Sequence, residues 1–460
     1  MSDYKQLLER QRRFFATGRT RNMEFRKEQL KRLRRVVIEK HGEVEESLYR
    51  DLRKCEFEAF ATEVTAMIDE IDCAVANLEA WTAPVDVETP PLFGQAESKI
   101  YYEPYGTVLI LNTWNYPFVL CFKPLVGALA AGNCCVVKPS EVAPTTSKVL
   151  AGIINAAFDA EYCVAVEGGV EEATELLRER FDFILYTGST GVGRIVAQAA
   201  AAYLTPTALE LGGKSPCIVD RTADIERSVA SICWGKFINA GQTCVAPDYV
   251  WVHRDVKDRL VEALAGQIRA FYGDDIKNSP DFGRIINDRR FERLLYLMKE
   301  GRIVFGGETD AEQRFISPTL IDGITWDSRI MQEEVFGPIL PVLTFEDAEE
   351  IVETLVRREK PLALYLYTTD RAMEELIVNR IPYGGGCVNA TLMHMLNTNL
   401  PFGGVGNSGH GFYQGRWSIE TFSHRKCILN RALSDGTPPL FPPYADHVKM
   451  LKQMYLPAAE

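Results

Sequence analysis

The chain has 460 residues, 46% of them hydrophobic and 25% charged, with a formal net charge of -12. This is enough apolar material for two or three packed units that need no metal or disulfide staples, and the acidic balance argues against a nucleic-acid surface. The 11 cysteines, an odd and scattered set with Cys134 and Cys135 adjacent, do not read as a secreted disulfide framework and fit a reducing, cytoplasmic setting.

The opening MSDYKQLLERQRRFF lacks the apolar stretch and small-residue cleavage site of a secretory signal and reads as an amphipathic helix. Residues 1 to 80 read as helices throughout, with charged and apolar residues alternating at three and four. The basic run KEQLKRLRRVVIEK at 27 to 40 interleaves with Leu and Val at that spacing, as a solvated helix face does. No stretch of the chain is apolar for long enough to predict an integral membrane segment, while peripheral membrane association stays open.

Prolines cluster from 81 to 105 before an alternating stretch, which predicts a connection leading into an excursion or an edge strand. From 106 the period changes. Short apolar runs (GTVLILN, NCCVVKP, CVAVEGG, DFILYTG) alternate with helical stretches, the grammar of buried parallel strands joined by helical crossovers. Ligands of such sheets sit at the carboxyl ends of the strands. The second half repeats this pattern with SPCIVD, a helix from about Asp224 to Phe237, YVWVHR and a helix over VKDRLVEALAGQIRAF, so a second α/β unit is expected. The glycine-rich stretch 383 to 411 reads as a long functional loop, too irregular to hold an element.

DFILYTGSTGVGRIV is a strand, a Gly-rich turn and a helix start, whose free amides and dipole favour a phosphate. Its glycines run G-x-x-G-x-G, not G-x-G-x-x-G, and no Tyr-x-x-x-Lys accompanies them, so a purely structural tight turn is the competing reading. Counting on to an acidic ribose ligand lands on Glu210 in LELGGKSP, but Lys138 and Glu141 in VVKPSE end an earlier buried strand and compete for the same sugar. Cys244 in FINAGQTCV has no His-Asp partner pattern near it. The six histidines show no ligand spacing, so no metal site is expected. A thiol with a free pKa near ~8.5 needs a base or a dipole to act as a nucleophile, and taken alone Cys244 reads as buried packing.

Five motifs taken together, NTWNYPF (112–118), LELGGKSP (209–216), GKFINAGQTCVAPDYV (235–250), QEEVFGP (332–338) and LPFGGVGNSGHG (400–411), resemble the aldehyde dehydrogenase superfamily. The Tyr-Thr-Gly-Ser-Thr turn and the Lys-Pro-Ser-Glu stretch look most like its class 3 branch, which acts on fatty and aromatic aldehydes. The likeness runs in order from about residue 10 to 430. It implies that Cys244 is the nucleophile, that the Asn115 amide and the backbone N–H of Cys244 hold the oxyanion, and that Glu210 activates the hydrolytic water. It further implies that Lys138 contacts the adenosine ribose, with Glu141 beside it. Gly188 and Ser189 would form the pyrophosphate turn, and Glu334 with Phe336 the nicotinamide-ribose clamp. Tyr116, Trp234, Leu392, Met393 and Met395 are candidates for an apolar aldehyde tunnel. NAD is the expected cofactor, with NADP open, because Glu141 opposes a 2′-phosphate by like charge.

The implied fold is α/β: a Rossmann-like parallel-sheet cofactor domain (1–84 and 105–211), a second α/β catalytic domain (212–420), a small β oligomerisation element (85–104 and 421–440) and a C-terminal tail (441–460). Sheet extension between subunits makes a homodimer the first expectation. The implied reaction is NAD(P)-dependent oxidation of a medium or long aliphatic, or aromatic, aldehyde to its acid. A coenzyme A-acylating dehydrogenase and a non-catalytic binding relative are the alternatives.

Overall fold

The computed structural model describes residues 3–432, 441–444 and 447–456. Helices fill the first eighty residues: Asp3–Ala16, Met23–Glu39, His41–Leu52, then Glu56–Ala59 running through a π-helical turn, Phe60–Val64, into Thr65–Thr82. The basic run lies on the second of these, with Leu30, Leu33 and Val37 fully buried beneath it while Lys27 and Arg34 reach Glu79 and Asp72. Amphipathic spacing, not charge, therefore decides how this helix packs.

Two sheets organise the rest. The first has six strands in the order Gly409–His410, Thr207–Glu210, Phe183–Thr187, Thr107–Leu111, Cys134–Lys138 and Cys163–Ala165. All pair in parallel except Gly409–His410, which caps one edge antiparallel. Their near-continuous Val, Ile, Leu and Cys content is that of strands covered on both faces by helices, here including Val119–Ala131, Pro144–Ala157 and Thr190–Ala201. Because neighbouring strands run the same way in register, Lys138 faces Leu111 and Thr187 faces Glu210 along one carboxyl edge.

The second sheet has seven strands, Arg302–Phe305, Thr319–Asp322, Ile339–Phe345, Tyr249–His253, Pro216–Val219, Ala363–Tyr367 and Gly385–Val388, parallel apart from the first. A third, antiparallel sheet joins Val85–Val87, Ala96–Pro104 and Ser423–Arg431. The expected excursion after residue 81 is thus real strand.

The stretch 383–411 departs from its reading as one long irregular loop. Gly385–Val388 is an edge strand of the seven-stranded sheet and Gly409–His410 an edge strand of the six-stranded one, with a short helix, Met393–Leu396, between them. Glycine is there because backbones touch: a Cβ on Gly386 would lie 2.1 Å from the Leu364 carbonyl oxygen, and one on Gly409 would lie 1.9 Å from that of Leu209.

All 11 cysteines are free. Among the described residues no helix is long and apolar enough to cross a membrane, and no cluster of His, Cys, Asp and Glu is arranged to hold a metal ion. The tail carries a helix at His447–Tyr455, while residues 433–440, 445–446 and 457–460 of the expected oligomerisation and tail segments lie outside the described residues.

Candidate active site

The strand Phe183–Thr187 ends in a turn at Gly188 and Ser189 that opens the helix Thr190–Ala201, with Ser189 Oγ accepting the Val192 N–H at 3.4 Å as its cap. Gly188 donates its N–H to the Glu210 carbonyl at 3.0 Å, joining this turn to the end of the next strand. A side chain at 188 would strike the Tyr186 hydroxyl, 2.3 Å from an added Cβ. The turn is therefore built for close approach of backbone.

On the other side of the cleft, the helix Ile225–Phe237 gives way to a bend in which Asn239 and Ala240 both take left-handed backbone angles, φ 52° each. Two such residues in succession are costly for L-amino acids and hold only when the surroundings over-determine them. Those surroundings are plain: Asn239 Nδ2 donates to the carbonyls of Asn115 (2.9 Å) and Gln242 (3.1 Å), and Gln242 Nε2 donates to those of Asn239 (3.0 Å) and Arg284 (2.9 Å). Gly241, φ +74°, lies so close to Gly337 that a Cβ would come 2.3 Å from the carbonyl oxygen, which pins the 332–338 segment against the loop that carries Cys244.

These elements enclose a polar cavity of about 220 Å3 lined by Asn115, Gly188, Ser189, Glu210, Cys244, Glu334 and Phe336. Seven of the expected site residues, from five separate stretches of the chain, thus share one wall. Asn115 is 2% exposed; its amide donates one N–H to the Gln242 carbonyl at 3.0 Å and keeps a second donor, while its oxygen accepts from Thr113 Oγ1 at 3.2 Å. Burial pushes the Glu210 carboxyl up from 4.5 to about 7, against the opposing pull of Cys244 and Thr187 beside it. Neither Glu210 oxygen, nor Thr187 Oγ1, has a hydrogen-bond partner among the described residues, although all three are buried. Burial, then the adjacent Glu210 and Glu334, hold the Cys244 thiol well above its ordinary range, so the resting nucleophile is protonated and needs a base. Glu334 is itself raised to about 8 by burial and by Asp248, and Phe336, at φ 51°, sets its ring edge-on to Trp114.

Lys138 and Glu141 stand apart from this cavity. Lys138 is buried at its strand end, two strands over from the one that ends in the turn, and its ammonium donates to Glu141 Oε2 at 2.8 Å and to the Pro139 carbonyl at 2.8 Å. Both are on the carboxyl edge that the parallel register creates, beyond the cavity's own wall.

The apolar candidates divide. A second cavity, about 560 Å3, is lined by Tyr116, Trp234, Leu392, Met395 and Leu396 among others, and ends at Thr243, the residue before the nucleophile. Tyr116 and Thr243, both on the wall of this cavity, share a hydroxyl hydrogen bond of 3.0 Å and are the chain neighbours of Asn115 and Cys244 on the polar one. Met393 is a correction: it is half-exposed and does not line the cavity, whereas Met395 and Leu396 of the same short helix do.

Sequence reasoning passed over Thr187, Arg290 and Arg293, which also line the polar cavity. Arg290 lies 4.5 Å above the Trp114 ring, and Arg293 pairs with Glu333 at 2.8 Å. Both sit on the amphipathic helix Asp288–Leu297, whose surface pattern gave no sign of a site.

The sequence model of the aldehyde dehydrogenase family matches residues 1–428. The chain is 47% identical over 444 residues to a 4,4'-diaponeurosporen-aldehyde dehydrogenase of Staphylococcus aureus, covering 96% of this chain and 97% of that one. It is 44% identical to a dimeric NADP-preferring aldehyde dehydrogenase of Canis lupus familiaris, covering 95% and 96%, and 44% identical to aldehyde dehydrogenase family 3 member A2 of Rattus norvegicus, covering 95% and 91%. Among solved structures, Staphylococcus aureus AldH in a substrate-bound state superposes with a TM-score of 0.97 at 46% identity, covering 99% of this chain and 100% of that one.

Proposed function

The chain belongs to the aldehyde dehydrogenase family, and from that premise we propose that Cys244, Glu210 and Asn115 perform its chemistry on medium or long aliphatic, or aromatic, aldehydes. The protein is an oxidoreductase that oxidises an aldehyde to its carboxylic acid with NAD or NADP.

In this reading Glu210 takes the proton of the Cys244 thiol, and the thiolate sulfur attacks the aldehyde carbon to give a hemithioacetal. The free N–H of the Asn115 amide and the backbone N–H of Cys244 stabilise the alkoxide that forms, which is what neutral, preorganised donors do best. NAD(P), when bound, would supply the acceptor for the hydride that leaves this carbon. The resulting thioester stays on Cys244 until Glu210, having passed the thiol proton on to solvent, draws a proton from water, whose oxygen displaces the Cys244 thiolate and releases the acid.

The residues fit the cofactor. The start of the helix Thr190–Ala201, just after the Gly188–Ser189 turn, offers backbone N–H groups, and a Cβ on Gly212 would fall 2.2 Å from Glu334 Oε2, so the glycines leave room that any side chain would fill. Lys138 with Glu141 would hold the adenosine ribose, and Glu334 with Phe336 the nicotinamide end.

The observation that carries the mechanism is Glu210: a fully buried carboxylate with both oxygens unpartnered, opening on the cavity of Cys244. A structural acid at that depth would be bonded; a base for water must be free. Its presence also favours hydrolysis of the thioester over transfer to coenzyme A. The larger apolar cavity, ending one residue from the nucleophile, supports long or aromatic substrates.

Residues 1–84 with 105–211 form the cofactor unit in this reading, 212–420 the catalytic unit, and 85–104 with the strand Ser423–Arg431 the oligomerisation element. A cytoplasmic homodimer follows, supported by that exposed strand and by the dimeric relative's name. The test is a stopped-flow record of reduced nicotinamide, with NAD or NADP and a panel of aldehydes, with and without coenzyme A. Turnover without coenzyme A supports the reading; turnover only with it gives the acylating alternative, and none at all gives a binding relative.

A further inference from the structure

The larger cavity is mostly apolar, with a few polar groups set into its wall. Glu58, half-buried in its wall, leads into the π-helical turn Phe60–Val64, two of whose residues, Ala61 and Thr62, line the same space. One carboxylate oxygen is spoken for: Oε2 accepts the Asn239 N–H at 3.1 Å, where the left-handed bend before Cys244 begins. The other makes no bond among the described residues, and the residue lines the cavity.

No cation bonds it among the described residues, although the charge of the nearby Lys54 favours its ionised form. Lys54 is fully buried and committed to Glu63 at 3.0 Å, with its ammonium 3.9 Å from the Tyr116 ring centre. Lys123, elsewhere on the wall, donates to Gln414 Oε1 at 3.0 Å and to the Met395 carbonyl at 3.4 Å. Asp281, the other acid on this wall, adds a second negative group and has no ion pair among the described residues. An acceptor left unpaired in an apolar space is unfavourable until something donates to it, and a site of that kind discriminates against ligands that lack the donor.

We infer that Glu58 sets a substrate preference within the proposed activity, on which this inference rests: it hydrogen-bonds aldehydes that carry a donor, a hydroxyl or a cationic N–H, on the part of the molecule remote from the carbonyl. The aldehyde end reaches Cys244 past Tyr116 and Thr243, and the donor meets the free Glu58 oxygen along the cavity wall. Aldehydes ending in a carboxylate are disfavoured by the same group. Because its second oxygen holds the Asn239 N–H, the contact is made on a wall that also braces the nucleophile loop.

The experiment compares straight-chain aldehydes from butanal to decanal with ω-hydroxyaldehydes of the same lengths, and adds 4-guanidinobutanal as the cationic donor. The reading is the ratio of kcat/KM for hydroxylated over plain aldehyde, which a general loss of activity does not move. In the wild type the ratio rises about tenfold at one chain length, the worth of one hydrogen bond to a charged group. Glu58→Leu flattens it to about one. Glu58→Gln, which keeps an acceptor and the bond to Asn239, retains part of the preference for hydroxyl and loses that for guanidinium. Calorimetric binding of 1,8-octanediol against 1-octanol reads the same preference without turnover, should the leucine variant fail to fold. A ratio that is flat with chain length in the wild type, or unchanged in Glu58→Leu, overturns the inference. No oxidation of any aldehyde would instead overturn the proposed function beneath it.

Discussion

Replacing Glu210 with glutamine should make the protein more stable and less active at once. Burial raises this carboxyl from 4.5 to about 7, and at about 1.4 kcal/mol per tenfold change in affinity for the proton that is about 3 kcal/mol of penalty on the ionised form. Between those two values the folded chain keeps a proton that the unfolded chain has already released, so stability falls as pH rises through that window. The penalty is complete above about 7 and absent below about 4.5. Glu210→Gln removes it, so the variant should gain up to about 3 kcal/mol of unfolding free energy in mildly alkaline buffer and nothing in acid, read as a shifted urea midpoint. The same change should slow thioester hydrolysis by about 10²- to 10⁴-fold, the usual worth of a positioned base. Equal urea midpoints for the two proteins in alkaline buffer, or an unchanged steady-state rate, would refute the reasoning, since a merely structural residue loses stability when replaced.

Cys244→Ser should abolish turnover while nucleotide titration by fluorescence gives nearly the wild-type affinity; lost affinity would make the residue structural. Asn115→Ala should lower kcat by about 10²- to 10³-fold with a small effect on KM, as for the removal of one oxyanion donor, and steady-state kinetics checks it. Glu141→Gln frees the Lys138 ammonium from its partner at 2.8 Å. It should raise the ratio of kcat/KM for NADP over NAD several-fold, in line with a gain of about 1 kcal/mol for a half-exposed pair. Lys54→Met leaves Glu63 buried without its ion pair and should cost about 3–5 kcal/mol in urea unfolding, with Lys54→Met/Glu63→Gln recovering much of it.

Most of the site was legible because its chemistry is written in short motifs. Cys244, Glu210, Asn115, Glu334 and Phe336 come from stretches far apart in the chain, yet each motif places its residue on a strand end or a constrained loop, and the parallel register gathers them. Strand and helix alternation was equally clear from 106 onward, since strands buried on both faces show as continuous apolar runs. The misreading of 383–411 has a physical source: glycines demanded by backbone contact, as at Gly386 and Gly409, look in sequence like the glycines of a flexible loop. Met393 and Met395 are chemically alike and two apart, and which of them lines the cavity depends on how their short helix is set in the fold, which the residue types do not encode. Arg290 and Glu58 sit on helices whose patterns are those of ordinary surfaces; their places on the cavity walls arise from what packs opposite them, which no local pattern encodes.

The central claim, that oxidation passes through an acyl group on Cys244, is tested most directly by mass spectrometry of the Glu210→Gln protein quenched after one turnover with NAD and octanal. The account predicts an adduct of the aldehyde less two hydrogens, on the peptide that holds Cys244, formed in step with reduced nicotinamide. An adduct on another of the cysteines, or reduced nicotinamide with Cys244 unmodified, would contradict it.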